Sequence, residues 1–247
     1  MTKKLIAAIQ WGLKLQMADS GSHWNYDGET GPDYWHCLSE DYALCSSGQQ
    51  QAPIDITESI KTDLPPLMFD YRPFPLIIEN NGHTIQVTTN KAGSLKIGDN
   101  TYQLLQFHFH TPSEEAIHGQ RTDMVIHLVH QNTQGELAVV ALLLKTGETT
   151  NPFIETLWNV MPKTPGKPEQ HDVVQIDINR LLPTGQKNYY TFAGSLTTPP
   201  CSEGVKWLVL KQTVSISPKQ LAQYKAVYSE NARPLQPLNG RKILSSN

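Results

Sequence analysis

The sequence predicts a β-dominated α+β fold, a single domain with a large central twisted, mostly antiparallel sheet and a few peripheral helices. Three observations predict it. Apolar runs rich in Val, Ile, Leu and Phe, separated by Asn- and Gly-containing turns, recur between residues 76 and 145, as successive hairpins do. Residues 137–144 are apolar at every position, the mark of a strand buried on both faces and so central in its sheet. Past the N-terminus, helical spacing coincides with a capping residue in two stretches, 151–161 and 217–228.

Taken in order, residues 1–20 read as a leader or N-terminal extension. Lys3 and Lys4 precede the apolar Leu5, Ile6 and Ile9 as in an export signal, but Gln10 and Lys14 interrupt the run and no A-x-A site precedes Asp19. A short amphipathic helix fits the step of four from Leu5 to Met17 equally well. Residues 20–53 are rich in Gly, Pro, Asp, Tyr and Trp and lack a period, so Trp24, Tyr26, Tyr34 and Trp35 are the expected anchors. Residues 51–56 make a short strand entered through Pro53.

Strands at 76–80 and 83–89 flank Asn81-Gly82, the strongest hairpin signal in the chain. Strands at 95–97 and 101–110 flank a second turn, and strands at 124–131 and 136–145 a third. Asn151 with Pro152, and Ser217 with Pro218, begin the two helices. Strands resume at 173–178, 189–192 and 205–214.

Composition excludes several classes. The chain has 247 residues and a formal net charge of −3, which gives no reason to expect nucleic acid or an anionic membrane as partner. It has no apolar run long enough to span a bilayer. Cys37, Cys45 and Cys201 are too few and too scattered for a zinc ribbon. One disulfide with an odd thiol, or three free thiols, are both open on spacing alone.

The chemistry concentrates in Gln106-Phe107-His108-Phe109-His110. On a strand, His108, His110 and Gln106 share one face, while Phe107 and Phe109 take the other. Two imidazoles on one face can meet one metal ion, and His127 on the following strand offers a third. Three imidazoles with no fourth protein ligand suit a catalytic zinc with an open position rather than a closed structural site. Motifs for a nucleophile elbow, a zincin helix and a phosphate-binding loop are absent. Ser195 follows Gly194 but lacks the second glycine of an elbow. The neighbours Glu114 and Glu115 diverge in direction, one expected buried and the other solvated.

Over residues 24–241 these features resemble the α-carbonic anhydrases. The segments His23-Trp24-x-Tyr26, Gly31-Pro32-x-x-Trp35, Gln51-x-Pro53-Ile54-Asp55-Ile56, Asn81-Gly82-His83, the His-x-His strand and Ser113-Glu114 stand in the family's order. So do His127-Leu128-Val129-His130, residues 194–201, Trp207 and Asn231-x-Arg233-Pro234-Leu235-Gln236. The resemblance implies a catalytic domain over residues 21–247 that hydrates CO2 reversibly to bicarbonate and a proton through a zinc-bound hydroxide, with esterase activity on the side. One Zn2+ per chain is implied, held by His108, His110 and His127. The implied partners are CO2 and bicarbonate, with sulfonamides and anions as inhibitors and a homodimer as the larger assembly. A binding or scaffolding domain with little catalysis is the alternative from another class.

The resemblance also implies individual roles. Thr197 accepts from the nucleophile and donates to Glu114. Val129, Val139, Leu196, Thr198 and Trp207 form the substrate pocket. His83 shuttles protons, as befits the one side chain that titrates near neutral pH unaided, with Tyr26, Asn81 and Gln86 ordering the water between; alternation from His83 puts Gln86 on the wrong face unless the strand bulges or twists strongly. Gln106 and the Asn231 carbonyl support His108 and His110. Cys45 and Cys201 match a disulfide of exported family members, which implies a periplasmic or secreted location and leaves Cys37 as the odd thiol. Four positions depart from the family: Val125, Glu115, Phe192 and Ala52 stand where Glu, His, Tyr and Ser are usual. His127 is therefore expected to lack its carboxylate partner, giving weaker zinc retention or altered activity rather than inactivity, and Val125→Glu is expected to change zinc dissociation.

Overall fold

Alternation along the chain becomes strand pairing almost wherever it is strong. The computed structural model describes residues 23–90, 92–184 and 188–247, so the leader expected at residues 1–20 lies outside the described residues. The strands are β1 (Asp55–Ile56), β2 (Ile60–Thr62), β3 (Leu67–Tyr71), β4 (Phe74–Asn80), β5 (Ile85–Thr88), β6 (Gly93–Ile97), β7 (Asn100–His110) and β8 (Ala116–Ile117). They continue as β9 (Gln120–Arg121), β10 (Met124–Gln131), β11 (Leu137–Thr146), β12 (Glu169–Ile176), β13 (Tyr189–Ser195), β14 (Glu203–Leu210), β15 (Val214–Ile216) and β16 (Leu244–Ser246). The main sheet runs β12-β4-β5-β7-β10-β11-β14-β13-β16-β2, with β6 joining β3 to β7 and β15 pairing β11.

As its composition predicts, β11 lies inside the sheet, between β10 and β14. The sheet is mixed rather than a plain hairpin series, because β11 pairs in parallel with both β14 and β15. After β11 the chain leaves through the helix Pro152–Trp158 and the edge strand β12 and returns from the other side. A strand covered on both faces accepts such a parallel neighbour readily. The stretch expected as one strand at 205–214 accordingly divides into β14 and β15, which pair with successive halves of β11.

The turn after β4 is wider than the expected two-residue hairpin. β4 and β5 stop pairing at Asn80 and Ile85, and the Asn81 side-chain carbonyl accepts from the His83 and Thr84 N–H groups, with Gly82 at φ +92°. The Asn thus stabilises a four-residue loop by hydrogen-bonding its own backbone. Both helices begin where expected. The Asn151 side chain accepts from Phe153 and Ile154 N–H, and Ser217 with Gln220 forms a reciprocal capping box before Pro218–Lys225.

The two faces of the sheet are unlike. One is covered by a large apolar core that includes Phe107, Phe109, Ile126, Leu128, Trp158 and Tyr224. The other bears a smaller cluster that includes Val125, Val129, Val139, Phe192 and Trp207. On β7 the register shifts between Leu104 and Gln106, so Leu104 and Phe107 both reach the large core while Gln106 and His108 stay on the opposite face. Burying Phe107 and Phe109 contributes about 1.5–3 kcal/mol each, which fixes the alternating His108 and His110 toward the other side.

Candidate metal centre

His108 and His127 are direct cross-strand partners on β7 and β10, and His110 follows His108 on the same face. Each of the three offers a ring nitrogen within 4.8 Å of the others. The partner of the second nitrogen sets each tautomer. His108 Nδ1 lies 2.8 Å from Gln106 Oε1 and His110 Nδ1 lies 2.7 Å from the Asn231 carbonyl. Both partners only accept, so both Nδ1 atoms carry the proton and Nε2 is left with its lone pair. Burial holds both imidazoles well below the usual histidine range, in the neutral form that binds metals.

His127 is turned the other way. Its Nε2 lies 3.0 and 3.3 Å from the two oxygens of Glu115, so Nδ1 faces the centre. This overturns the expectation that His127 lacks a carboxylate. Val125 indeed offers none, but Glu115 reaches the same nitrogen from the loop after β7. Glu114 and Glu115 diverge as adjacent residues do, yet neither is solvated, their exposures being 0% and 1%, because the His127 ring lies between them. Burial lowers the His127 pKa, but the Glu115 contact and then Glu114 outweigh it and leave it raised.

The atoms facing the centre fit a cation. His110 Nε2 and Glu114 Oε2 are buried without a well-formed hydrogen bond and lie 3.5 Å apart. A lone pair and a carboxylate oxygen so placed cannot satisfy each other, whereas three imidazole nitrogens facing one point suit zinc with a fourth position open. Glu114 Oε1 accepts from the Arg233 N–H at 2.8 Å, and the Thr197 hydroxyl stabilises the same carboxylate. Burial nevertheless pushes the Glu114 carboxyl up to about 7, with His127 opposing and Glu115 reinforcing the rise.

An apolar wall adjoins the histidines. Val129 pairs with Val139, and Val139 with Trp207, in one row across β10, β11 and β14. Leu196 packs on this cluster, and the Trp207 and His127 rings meet edge to face at 4.9 Å. Gly194 makes room for the indole, since a Cβ there would sit 2.6 Å from Trp207 Cδ1. Trp207 Nε1–H in turn donates to the Ser195 carbonyl, and Ser195 Oγ accepts from the Ala52 N–H. These bonds hold the segment that carries Leu196, Thr197 and Thr198. The disulfide between Cys45 and Cys201 ties its far end, and Cys37 is the free, exposed cysteine.

The expected proton path is assembled only in part. His83 is half-buried and stacked on Trp24, ring centroids 3.6 Å apart and planes 7° off parallel. Burial, then nearby His23, lowers its pKa to about 4. The Tyr26 hydroxyl is buried and unpartnered, its pKa raised by burial and then by Glu114. The Asn81 carbonyl is committed to its turn. Gln86 pairs with His108 across the strands and so lies on the site face without a bulge, because β5 begins only at Ile85 and alternation does not run back through the turn to His83. Its amide donates to Glu79.

Two supports had no assigned role in the sequence reading. Arg233 is buried, donates to Gln51 Oε1 and to the Ala52 and Cys45 carbonyls, and offers its own N–H to Glu114. Ser195 bridges Ala52 N–H to the Leu196 carbonyl. The arginine within Asn231-x-Arg233-Pro234-Leu235-Gln236 is the available signal for the first. The second had none.

A family model described as eukaryotic-type carbonic anhydrase matches residues 30–247. A carbonic anhydrase of Klebsiella pneumoniae is 45% identical over 226 residues, 90% of this chain and 91% of its own length. One of Neisseria gonorrhoeae is 46% identical over 225 residues, 90% of this chain and 88% of its own length. Among solved structures, an α-carbonic anhydrase from Thermovibrio ammonificans in complex with the inhibitor sulfanilamide matches with a TM-score of 0.87 at 41% identity, across 91% of this chain and 100% of that chain.

Proposed function

The chain belongs to the eukaryotic-type carbonic anhydrase family, and we propose that it interconverts CO2 and bicarbonate at the centre formed by His108, His110 and His127. The observation that carries this reading is the set of three imidazole nitrogens within 4.8 Å of one another, bordered by Glu114 and Thr197 on one side and an apolar wall on the other. One zinc per chain would be held by Nε2 of His108 and His110 and Nδ1 of His127. Bound there, zinc acidifies a water molecule into the neutral range, an effect for which carbonic anhydrase is itself the reference case.

The protein's own groups do the rest. Thr197 donates its hydroxyl proton to Glu114, so only a lone pair is left to accept from the attacking water, which aims that water's oxygen at the carbon of CO2. Val129, Val139, Leu196 and Trp207, with Thr198 at the edge, offer CO2 a dry surface with no competing hydrogen bonds. The carbon gains the water oxygen, the water loses a proton, and bicarbonate leaves as the next water enters. His83 exports the proton after swinging off Trp24, because in the stacked position a pKa of about 4 leaves it too weak a base. Tyr26, Asn81 and Gln86 flank the route. Activated esters are attacked at the same centre as a side reaction. The disulfide supports a periplasmic or secreted location.

Zinc analysis with stopped-flow CO2 hydration, with and without a sulfonamide, tests the reading. Stoichiometric zinc and sulfonamide-sensitive hydration are expected; stoichiometric zinc with no hydration overturns it.

A further inference from the structure

The side chains around His127 distinguish a site that has lost a support from one that has moved it. On β10, Val125, His127 and Val129 share a face, so a carboxylate at position 125 would be the nearest strand neighbour of the His127 ring. Position 125 is instead apolar and belongs to one buried cluster with Ala52 and Phe192. Glu115 arrives from a loop stapled at several points. Ser113 Oγ–H donates to the Glu115 carbonyl, the Ser113 N–H donates to the Thr122 carbonyl, and the Ala116 N–H donates to the Ile54 carbonyl. The Glu115 carboxylate is 1% exposed, and among the described residues its hydrogen-bond partner is His127 Nε2 alone. A carboxylate buried beside an apolar cluster with one partner is strongly committed to it.

We propose that Glu115 is the positioning residue of His127, keeping the proton on Nε2 and the Nδ1 lone pair on the centre, and that Val125 and Glu115 form one coupled exchange. The inference rests on the proposed metal site, and it reverses the expectation from sequence. With Glu115 in place, Val125→Glu does not restore anything; it buries a second carboxylate with no donor to meet it. In a Glu115→Ala background the same substitution resupplies the missing acceptor.

The test measures zinc release to a chelator from the zinc-loaded full chain, together with thermal unfolding and the visible spectrum of the cobalt-substituted protein. Glu115→Gln, nearly isosteric, and Glu115→Ala are each expected to release zinc about 10–100-fold faster and to shift the cobalt bands. Val125→Glu alone releases zinc no more slowly than the unaltered protein and melts lower. The double variant Glu115→Ala/Val125→Glu retains zinc better than Glu115→Ala. Should Glu115→Ala fail to fold, Glu115→Gln decides. Release within about twofold of the unaltered protein for Glu115→Gln, well under the usual effect of losing such a partner, or slower release in Val125→Glu, overturns the inference. Failure of the proposed function is separate, since it shows as zinc-loaded unaltered protein without CO2 hydration.

Discussion

The two sides of the candidate metal centre solve one problem with different means. His108 and His110 stand on β7 and lean on neutral acceptors, an amide side chain on their own strand and a backbone carbonyl from residue 231. His127 stands on β10 and leans on a buried carboxylate. Burial wins on the first side, and those imidazoles stay neutral. On the second side Glu115 and Glu114 outweigh burial and His127 holds its proton more tightly. The strand that carries two of the histidines takes one partner from itself and one from residue 231, whereas the strand that carries the third depends on a loop.

Removing a ligand from either side is the largest perturbation. His110→Ala and His127→Ala should both lose stoichiometric zinc and reduce hydration to background, as metal analysis and stopped-flow assay will show; zinc retained by either would break the comparison. Thr197→Val keeps the ligands but leaves the attacking water unaimed. It should lower kcat/KM about 100-fold at unchanged zinc content. Gln106→Leu removes the neutral support of His108 and should speed zinc release about 10-fold, less than the Glu115 substitutions do. Equal effects would erase the distinction between neutral and charged support.

Two smaller effects lie away from the ligands. His83→Ala should lower kcat at low buffer, leave kcat/KM in place and be rescued by added imidazole. His130 is the control on the far face of β10, buried between the Tyr71 hydroxyl and the Ala138 carbonyl with its pKa lowered to about 4, burial being the main cause. A histidine depressed in the folded state contributes stability that is present above its ordinary pKa of 6.5 and lost as pH falls through about 4. Denaturant titrations across that window should show a loss of ~3 kcal/mol that is absent in His130→Leu, even though the variant is less stable throughout.

Much of this was legible from local pattern. The period of two placed His108, His110 and Gln106 on one face, and the family resemblance, not the spacing, implied that Gln106 supports His108. The apolar run at β11 announced a central strand, and Asn151 and Ser217 marked helix starts by their own side-chain chemistry. Glu115 was misread because its loop lacks a period, so nothing local says whether a carboxylate there meets water or a ring. Val125 was read correctly as apolar and incorrectly as a loss. Arg233 reaches Glu114 across 119 positions of chain, and His83 lies against Trp24, contacts that no spacing rule supplies.

The sequence by itself therefore determined which side chains share a strand face, because alternation is a property of the backbone and needs no distant partner. Only the tertiary structure decided that β14 returns parallel to β11, that His83 lies stacked on Trp24, and that the carboxylate holding His127 comes from position 115 instead of 125. Each of these depends on segments far apart in the chain meeting in a crowded interior, where burial makes a polar group take whichever partner the fold brings within reach.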